Sequence, residues 1–339
     1  MDLALFFNPI AGKGKARRVA AAADDALQAA GHAVQQVEVG PAAVKSDKDA
    51  ALRAKHAMAV VGGDGTVHAL APLAAKHRVP LYQLPTGTEN LFAREFGMTR
   101  DPQRLIDTLR RIDPDDPTAN VPLIDVAVCN KRTFLLMASI GFDANVVHRL
   151  AHNRRGSISH LSYLPHILAE LVLHKPAAMR IEADGRVIVD GEHGWAVVAN
   201  ARQYALRVDP ARAADPTDGL LDVVFLPYRR LPALVAWNLR CRFGRQSSSP
   251  KLVNAQAQRI TIETDRPARY QLDGEAPLDS AGRDDLGPAT TPLEISLNPA
   301  ALPVLTPLLR PAAIPAAADP PAQQPSLGLR RALARSTPT

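Results

Sequence analysis

The sequence predicts an α/β plus β fold, in which an open α/β domain precedes a mainly antiparallel β domain. Strand, turn and helix patterns alternate through the first third of the chain, as in open, mostly parallel sheets. From about residue 121 onward, strand patterns dominate. The chain has 339 residues, too many for one simple core, and 46% of them are hydrophobic. We therefore assign 1–120 to the α/β domain and 121–298 to the β domain.

Short apolar runs and Ala-rich segments define the first domain. Residues 3–7 are an apolar run typical of a buried strand, and 16–30 have helical composition with Gly31 just past the end. The same patterns predict strands at 3–7, 33–39, 57–61 and 79–84, and helices at 16–30, 49–55 and 67–76.

The second domain begins after an Asp-Pro-Asp-Asp-Pro linker at 113–117. Asp184-Gly185 is a hairpin signal between two of its strands. We predict strands at 121–128, 133–138, 179–183, 187–189, 196–199, 221–226, 259–263, 268–272 and 293–297, and helices near 158–174 and 228–243. Residues 311–339 contain six prolines and eight alanines without apolar periodicity, which predicts a disordered tail.

Charge and cysteine content exclude several classes of protein. The formal net charge is +6, and 299–339 alone supply half of it, which argues against a nucleic-acid partner. Cys129 and Cys241 lie far apart, so a disulfide scaffold or a cysteine zinc site is disfavoured. No apolar run reaches the ~20 residues of a membrane span, and the N-terminus lacks signal-peptide features. We expect a cytoplasmic protein, with any membrane contact peripheral and at the inner face.

The strongest functional motif is Gly62-Gly63-Asp64-Gly65-Thr66, which follows a strand and precedes a helix. Glycines let the backbone approach a bulky anion, and amides at a helix N-terminus favour phosphate. Asp64 would be repelled by phosphate, so it is a candidate magnesium ligand or a partner for a hydroxyl proton. The competing interpretation is a plain strand–turn–helix corner with an Asp cap.

Two further loops also follow strands. Residues 8–15 (NPIAGKGK) combine small residues, two lysines and a following helix, although Pro9 and Ala16 exclude a Walker A loop. Residues 84–94 (LPTGTENLFAR) form the other loop. Ligands of open parallel sheets bind at the carboxyl ends of the strands, so we expect the three loops to converge on one crevice.

Six motifs in order make the chain resemble the diacylglycerol kinase catalytic-domain family, which includes bacterial lipid kinases and the sphingosine and ceramide kinases. They are NPIAGKGKARR, VVGGDGT, LPTGTENLFAREFG, ASIGFDANVV, DGLLDVVFL and LDGE. The resemblance covers roughly 3–310 and implies an ATP-binding α/β domain, a C-terminal antiparallel β-sandwich of the NAD kinase type and a returning segment at 299–310.

The resemblance also implies site residues. Asp218 would bind Mg²⁺ together with the backbones of Asp215 and Leu220, and Glu275 would accept the proton of the acceptor hydroxyl. From the chemistry of its loop, we predict that Asp64 shares the catalytic role by holding the catalytic magnesium or orienting the acceptor. The residues expected to contact ATP are Asn8, Pro9, Ile10, Ala11, Gly12, Gly62, Gly63, Asp64, Gly65, Thr66 and Thr88.

The expected function is therefore transfer of the ATP γ-phosphate to the hydroxyl of a diacylglycerol-like or sphingoid lipid at a membrane surface. Two alternatives stay open, namely a kinase for a soluble substrate, as in NAD kinases, and a catalytically weak nucleotide-binding regulator. The second arises because His68 and Ala69 stand where the family usually has Asn-Glu. Related bacterial enzymes can be dimeric, so a homodimer is a further expectation.

One segment has the composition of a membrane-contacting helix. Residues 228–245 place Leu231, Leu234, Val235 and Leu239 at helical spacing, flanked by five arginines. The alternative is a helix that packs on the β domain with solvated arginines, because Leu and Val stripes usually face a core.

Overall fold

The computed structural model describes residues 1–9, 11–40, 45–152, 175–277 and 289–307, without the side chains of 13, 45–47 and 152. All of them lie within one compact unit, Met1–Leu309. The predicted helix near 158–174 and the predicted tail at 311–339 lie outside the described residues.

The first sheet has four parallel strands in the order β2-β1-β3-β4. Its strands are β1 (Asp2–Phe7), β2 (Ala33–Glu38), β3 (Ala57–Gly62) and β4 (Leu81–Pro85). Its main helices are α1 (Lys15–Ala29), α2 (Lys45–Ala51) and α3 (Asp64–His77). The two central strands are buried along almost their whole length, as expected for a parallel sheet covered on both faces. The predicted α/β domain is confirmed.

Two helices of this region were not predicted. They are α4 (Leu91–Glu95) and α5 (Pro102–Leu109). The second begins with a recognisable signal, because the Asp101 carboxylate accepts the backbone N–H of Gln103 at 3.0 Å and proline follows the cap.

Antiparallel strands build the rest of the described chain. They are β5 (Leu123–Cys129), β6 (Arg132–Phe134), β7 (Met137–Ile140), β8 (Ala178–Ala183), β9 (Arg186–Ala199), β10 (Leu221–Pro227), β11 (Val253–Ala257), β12 (Arg259–Thr264), β13 (Tyr270–Leu272) and β14 (Leu293–Pro303). Two helices accompany them, α6 (Phe142–His152) and α7 (Leu231–Arg242).

The long strand β9 joins two sheets. Its first half pairs with β8 and its second half pairs with β10 and β7. One sheet has the order β8-β12-β14-β5-β6, and the other the order β11-β10-β9-β7-β13. Ile181 and Ile262 from the first share a buried core with Val198 and Phe225 from the second. This confirms the predicted antiparallel β-sandwich.

Three strand predictions need correction. The single strand predicted at 133–138 is split into β6 and β7, because the N–H groups of Leu135 and Leu136 donate to the Asp273 carboxylate instead of to a neighbouring strand. The strands predicted at 187–189 and 196–199 are one strand, β9. Strand β11 was not predicted.

The chain returns to the first sheet at its end. After β14, Val304 bridges Leu81 in β4, and the N–H of Leu305 donates to the Leu81 carbonyl oxygen at 2.9 Å. The predicted hairpin at Asp184-Gly185 is present, with φ of 46° and 78° at its two turn residues. Across the described part of the chain, no helix is long and apolar enough to cross a bilayer.

Candidate active site

The loops that follow β1, β3 and β4 pack against one another. A Cβ placed on Gly12 would collide with the backbone carbonyl of Thr86, and one placed on Gly63 would lie 3.2 Å from the Cα of Gly87. The Thr86 N–H also donates to the Gly62 carbonyl oxygen at 3.0 Å. The convergence expected from the sequence is therefore present in the structure, and glycine at these contacts permits it.

The first loop turns tightly into α1. The Asn8 carbonyl oxygen accepts the Ala11 N–H at 3.0 Å, and a short 3₁₀ turn at Ala11–Gly14 follows. Asn8 and Pro9 are half-buried, and Lys15 at the start of α1 is exposed. Ile10 lies outside the described residues.

The third loop is closed by Asn90. The Asn90 side chain accepts the Gly87 N–H and donates to the Gly87 carbonyl oxygen, both at 2.9 Å. Thr88 lies on the exposed part of this loop. Thr86, which we did not predict, lies beside Gly12, and its buried hydroxyl has no hydrogen-bond partner among the described residues.

Asp64 stands at the first residue of α3, and its carboxylate points to the start of α4. Oδ1 accepts the Phe92 N–H at 3.1 Å. Burial raises the pKa of Asp64 to about 6, against the backbone hydrogen bonds of Phe92 and Leu91, and the charges of Asp273 and Glu89 add to the rise. The Asp64 carboxylate therefore caps the N-terminus of α4, whereas the sequence suggested a cap on α3. A carboxyl with a strongly raised pKa in a loop cluster is also a typical feature of a functional site.

Glu275 from the β domain lies against the glycine–aspartate loop. A Cβ on Gly65 would be 2.6 Å from the Glu275 Oε1. Glu275 ends a tight turn in which the Leu272 and Glu275 backbones exchange hydrogen bonds of 3.0 and 2.9 Å. Two predicted catalytic residues, Asp64 and Glu275, are thereby carried on adjoining segments.

The turn that carries Glu275 is held by the Asp273 carboxylate. Its two oxygens accept the N–H groups of Leu135, Leu136 and Met137 at 2.7–3.0 Å. The Nδ1 of His68 in α3 lies 2.8 Å from Oδ2. Asp273 therefore joins α3, the β6–β7 segment and the Glu275 turn.

Comparisons with known proteins agree with this arrangement. The diacylglycerol kinase catalytic domain matches residues 2–116, and the YegS C-terminal NAD kinase beta sandwich-like domain matches residues 137–306. A diacylglycerol kinase of Mycobacterium tuberculosis is 30% identical over 303 residues, which are 88% of this chain and 93% of that protein. The chain belongs to the diacylglycerol kinase catalytic-domain family.

Other relatives extend the match. A diacylglycerol kinase of Bacillus subtilis is 26% identical over 237 residues, covering 69% of this chain and 75% of that protein. The crystal structure of a diacylglycerol kinase from Bacillus anthracis str. Sterne shares the fold, with a TM-score of 0.64 at 20% identity over 90% of this chain and 96% of that one. The family is one of lipid kinases, and kinase membership implies ATP as co-substrate.

The turn predicted to hold the family's magnesium ion is rich in carboxylates. Asp215 Oδ1 accepts from the backbone and hydroxyl of Thr217, and Asp218 Oδ1 accepts the Leu220 N–H at 2.9 Å. Asp125 in β5, which we did not predict, accepts the N–H of Gly219 at 2.8 Å through Oδ2. Its only sequence signal is an acidic residue inside an apolar strand.

These carboxylates suit a hard cation. Burial raises the pKa of Asp218, and the neighbouring charges of Asp222, Asp215 and Asp125 raise it further. A divalent ion would relieve that repulsion, and oxygen is the ligand Mg²⁺ prefers. In the part of the chain described by the structure, however, no three His, Cys, Asp or Glu side chains are grouped to hold a metal. A magnesium ion here would need backbone oxygens as well, as the family pattern implies.

His68 occupies a position where the family usually has asparagine. Burial disfavours its charged form, but the hydrogen bond and charge of Asp273, with the charge of Glu275, more than offset this and raise the pKa of His68. At this position, where the sequence departs from the family pattern, His68 forms a charge-assisted hydrogen bond to Asp273 in the turn that carries Glu275.

A second buried network supports the same turn. Asp143 in α6 accepts hydrogen bonds from Ser139 and Tyr204, and the Nε2 of Gln271 donates to Ser139 Oγ at 2.8 Å. Gln271 in turn accepts the N–H of Gly274 at 2.6 Å. Burial raises the pKa of Asp143. The network therefore supports the backbone next to Glu275.

Gly12→Ala is expected to destabilise the protein more than Gly14→Ala. Both glycines have positive φ, of 60° and 81°, but only the new Cβ at position 12 meets backbone atoms, whereas position 14 is open. The expected difference in free energy of unfolding is about 1–3 kcal/mol. Urea denaturation of the two variants measures it. Equal losses would show that the first and third loops are not in contact.

Asp64→Asn is expected to stabilise the protein near neutral pH. The folded-state pKa of about 6 exceeds the ordinary value of 3.8, so the folded protein keeps a proton that the unfolded chain has lost. Stability of the unmodified protein therefore falls as pH rises from about 4 to about 6, by about 2 kcal/mol, and the asparagine variant lacks this fall. Denaturation at about pH 4 and about pH 7 compares them. Parallel pH profiles would contradict the raised pKa.

His68→Asn is expected to cost about 1 kcal/mol of stability at acidic pH. Because the folded pKa of His68 lies above 6.5, the contribution is complete below pH 6.5 and is lost as pH rises through the folded value. Denaturation at about pH 6 and about pH 9 tests this. The control is His56→Asn, since the His56 ring accepts the Asp2 N–H rather than pairing with a carboxylate. A loss at position 68 that is the same at both pH values would exclude a charged pair.

Proposed function

We propose that the protein transfers the γ-phosphate of ATP to the hydroxyl of a lipid, with a diacylglycerol-like acceptor as the first candidate and a sphingoid acceptor as the second. The observation that supports this most directly is the position of the Glu275 carboxylate against Gly65, where the three converging loops meet the β domain. The names of the Mycobacterium tuberculosis and Bacillus subtilis relatives favour diacylglycerol.

The proposed chemistry divides the work among the loops. The backbone N–H groups of the glycine–aspartate loop and the N-terminus of α3 would bind phosphate oxygens, with Lys13 or Lys15 supplying positive charge. The Glu275 carboxylate would take the proton of the acceptor hydroxyl while the hydroxyl oxygen forms its bond to the γ-phosphorus. The bond from that phosphorus to the bridging oxygen breaks, and ADP leaves with the electron pair. Such base assistance typically contributes ~10²–10⁴-fold in phosphoryl transfer and related reactions.

Two cation roles belong to the same proposal. Asp64 would hold the Mg²⁺ that accompanies ATP, because this ion neutralises charge on the transferred phosphoryl group. Asp218, with the backbones of Asp215 and Leu220, would hold a structural Mg²⁺. The elevated pKa of Asp64 fits the first role, since a bound cation favours the ionised carboxylate that burial disfavours.

Glu275→Gln is expected to reduce turnover about 10²–10⁴-fold while ATP binding persists, because the amide keeps the shape and loses the base. The measurement is transfer of radiolabel from γ-labelled ATP to a total-lipid extract in the presence of Mg²⁺, followed by identification of the labelled lipid. Glu294→Gln, an exposed carboxylate in β14, is the matched control and should keep full turnover.

The same assay separates the alternatives. Near-normal lipid labelling by Glu275→Gln would refute its role as the base. Label in a water-soluble nucleotide and not in lipid would favour a kinase of the NAD kinase type. ATP binding without turnover on any lipid would favour a regulator, with His68 and Ala69 as the altered positions.

A further inference from the structure

Helix α7 is apolar on two opposite faces, and the described contacts account for one of them. Leu234, Trp237 and Cys241 are buried. The Nε1 of Trp237 donates to the Pro227 carbonyl oxygen at 2.8 Å. This face packs on the protein core, which agrees with the alternative that we gave for this segment, a helix packed on the protein.

The opposite face is exposed. Leu231, Val235, Leu239 and Phe243 are 41%, 45%, 54% and 70% exposed. Their spacing of four residues places them along one side of the helix. Scattered exposed apolar residues are ordinary, but a continuous row of four on one helix is typical of an interaction surface. We call these four side chains the α7 stripe.

The charge around the α7 stripe has a single sign. Residues 228–246 contain five arginines and no Asp or Glu. All five are exposed: Arg229, Arg230, Arg240, Arg242 and Arg245. An apolar stripe on a segment whose charged residues are all arginines matches the chemistry of an anionic lipid surface.

The C-terminal end of α7 also has a feature that suits contact with an anionic surface. Its last carbonyl groups would normally present negative partial charge, which an anionic surface disfavours. The Arg212 Nη2 instead donates to the carbonyl oxygens of Cys241 and Arg242 at 2.9 and 3.2 Å. A guanidinium therefore covers the one electronegative end of the stripe.

We propose that α7 lies on an anionic membrane surface, with the α7 stripe among the lipid chains and the arginines at the headgroup phosphates. This surface rests on the proposed function, because a lipid acceptor must be reached at a bilayer. A nucleic acid would match the arginines but offer nothing to four apolar side chains. A second copy of the chain is the competing occupant and is an outcome of the test.

The stripe has a fixed orientation on the protein. Gln246, just past α7, donates through Nε2 to the carbonyl oxygens of Asp209 and Pro210. The same 201–212 segment carries Tyr204, which hydrogen-bonds to Asp143 beside the Glu275 turn. Contact of α7 with a bilayer would thus orient the segment that adjoins the candidate active site.

The experiment measures co-sedimentation of the full chain with vesicles of phosphatidylcholine alone and of phosphatidylcholine mixed with phosphatidylglycerol. The stripe variant is Leu239→Ser with Phe243→Ser, and the charge variant is Arg229→Gln with Arg230→Gln. The matched control is Arg186→Gln with Val187→Ser, an exposed Arg–Val pair at the start of β9. Thermal unfolding checks that every variant is folded.

We expect the unmodified protein and the control to bind the anionic vesicles. The stripe and charge variants should bind them at least about tenfold more weakly. Equal binding by all four proteins, or no binding by the unmodified protein, would overturn the proposal. So would a change of oligomeric state in the stripe variant without a change in vesicle binding, which would assign the stripe to a second copy of the chain.

Phosphorylation of lipid dispersed in detergent micelles separates this proposal from the proposed function. The stripe variant should retain that activity, since none of its changes lies in the candidate active site. If no protein labels lipid in micelles but anionic vesicles are still bound through the stripe, the proposed function fails and the membrane surface stands. If micelle activity is normal and vesicle binding is independent of the stripe, the proposed function stands and the membrane surface fails.

Discussion

The carboxylate of Asp273 is the interaction on which the candidate site depends. A buried carboxylate is tolerated only when its oxygens are fully bonded. Here the bonding groups come from distant parts of the chain, namely three successive N–H groups ending at Met137 and the ring of His68. The hydrogen bonds to this one carboxylate fix the position of the start of α3 relative to the turn that carries Glu275. The geometry of the site follows from the cost of leaving Asp273 unpaired.

Local patterns predicted the fold wherever local forces determine it. Strand β3 is an apolar run ended by glycines, so both its burial and its limits follow from the sequence. Strand β11 alternates half-buried apolar residues with exposed polar ones, but it has only five residues and two of them are alanines, which have weak strand propensity. Its pairing with β10 therefore decides its structure. The split between β6 and β7 depends on a carboxylate more than 130 positions away. No local propensity contains that information.

The same division applies to the site. The three loops and the phosphate-binding character of their glycines were predictable, because each loop directly follows a strand. The position of Glu275 was supplied by resemblance to a family, and spacing alone would not have identified it. Asp125, Thr86 and the pairing of His68 with Asp273 were missed, since each acquires its meaning from a partner in another element. His68 departs from the motif of the family that the sequence resembles, and in the structure its ring pairs with Asp273.

The fold also explains why net charge was uninformative. Folding desolvates the carboxyl groups of Asp64, Asp143 and Asp218 enough to raise their pKa values, and leaves arginines exposed along α7. The net charge of +6 sums all 40 basic and 34 acidic residues and does not show where either kind lies. A desolvated carboxylate lowers stability unless hydrogen bonds, protons or cations compensate it, and Ser139, Tyr204 and Gln271 compensate Asp143 within the fold. Exposed arginines beside an apolar stripe contribute little to folding. The fold therefore separates the two kinds of charge, with carboxylates of raised pKa in the candidate sites and the arginines on the surface that we propose for lipid contact.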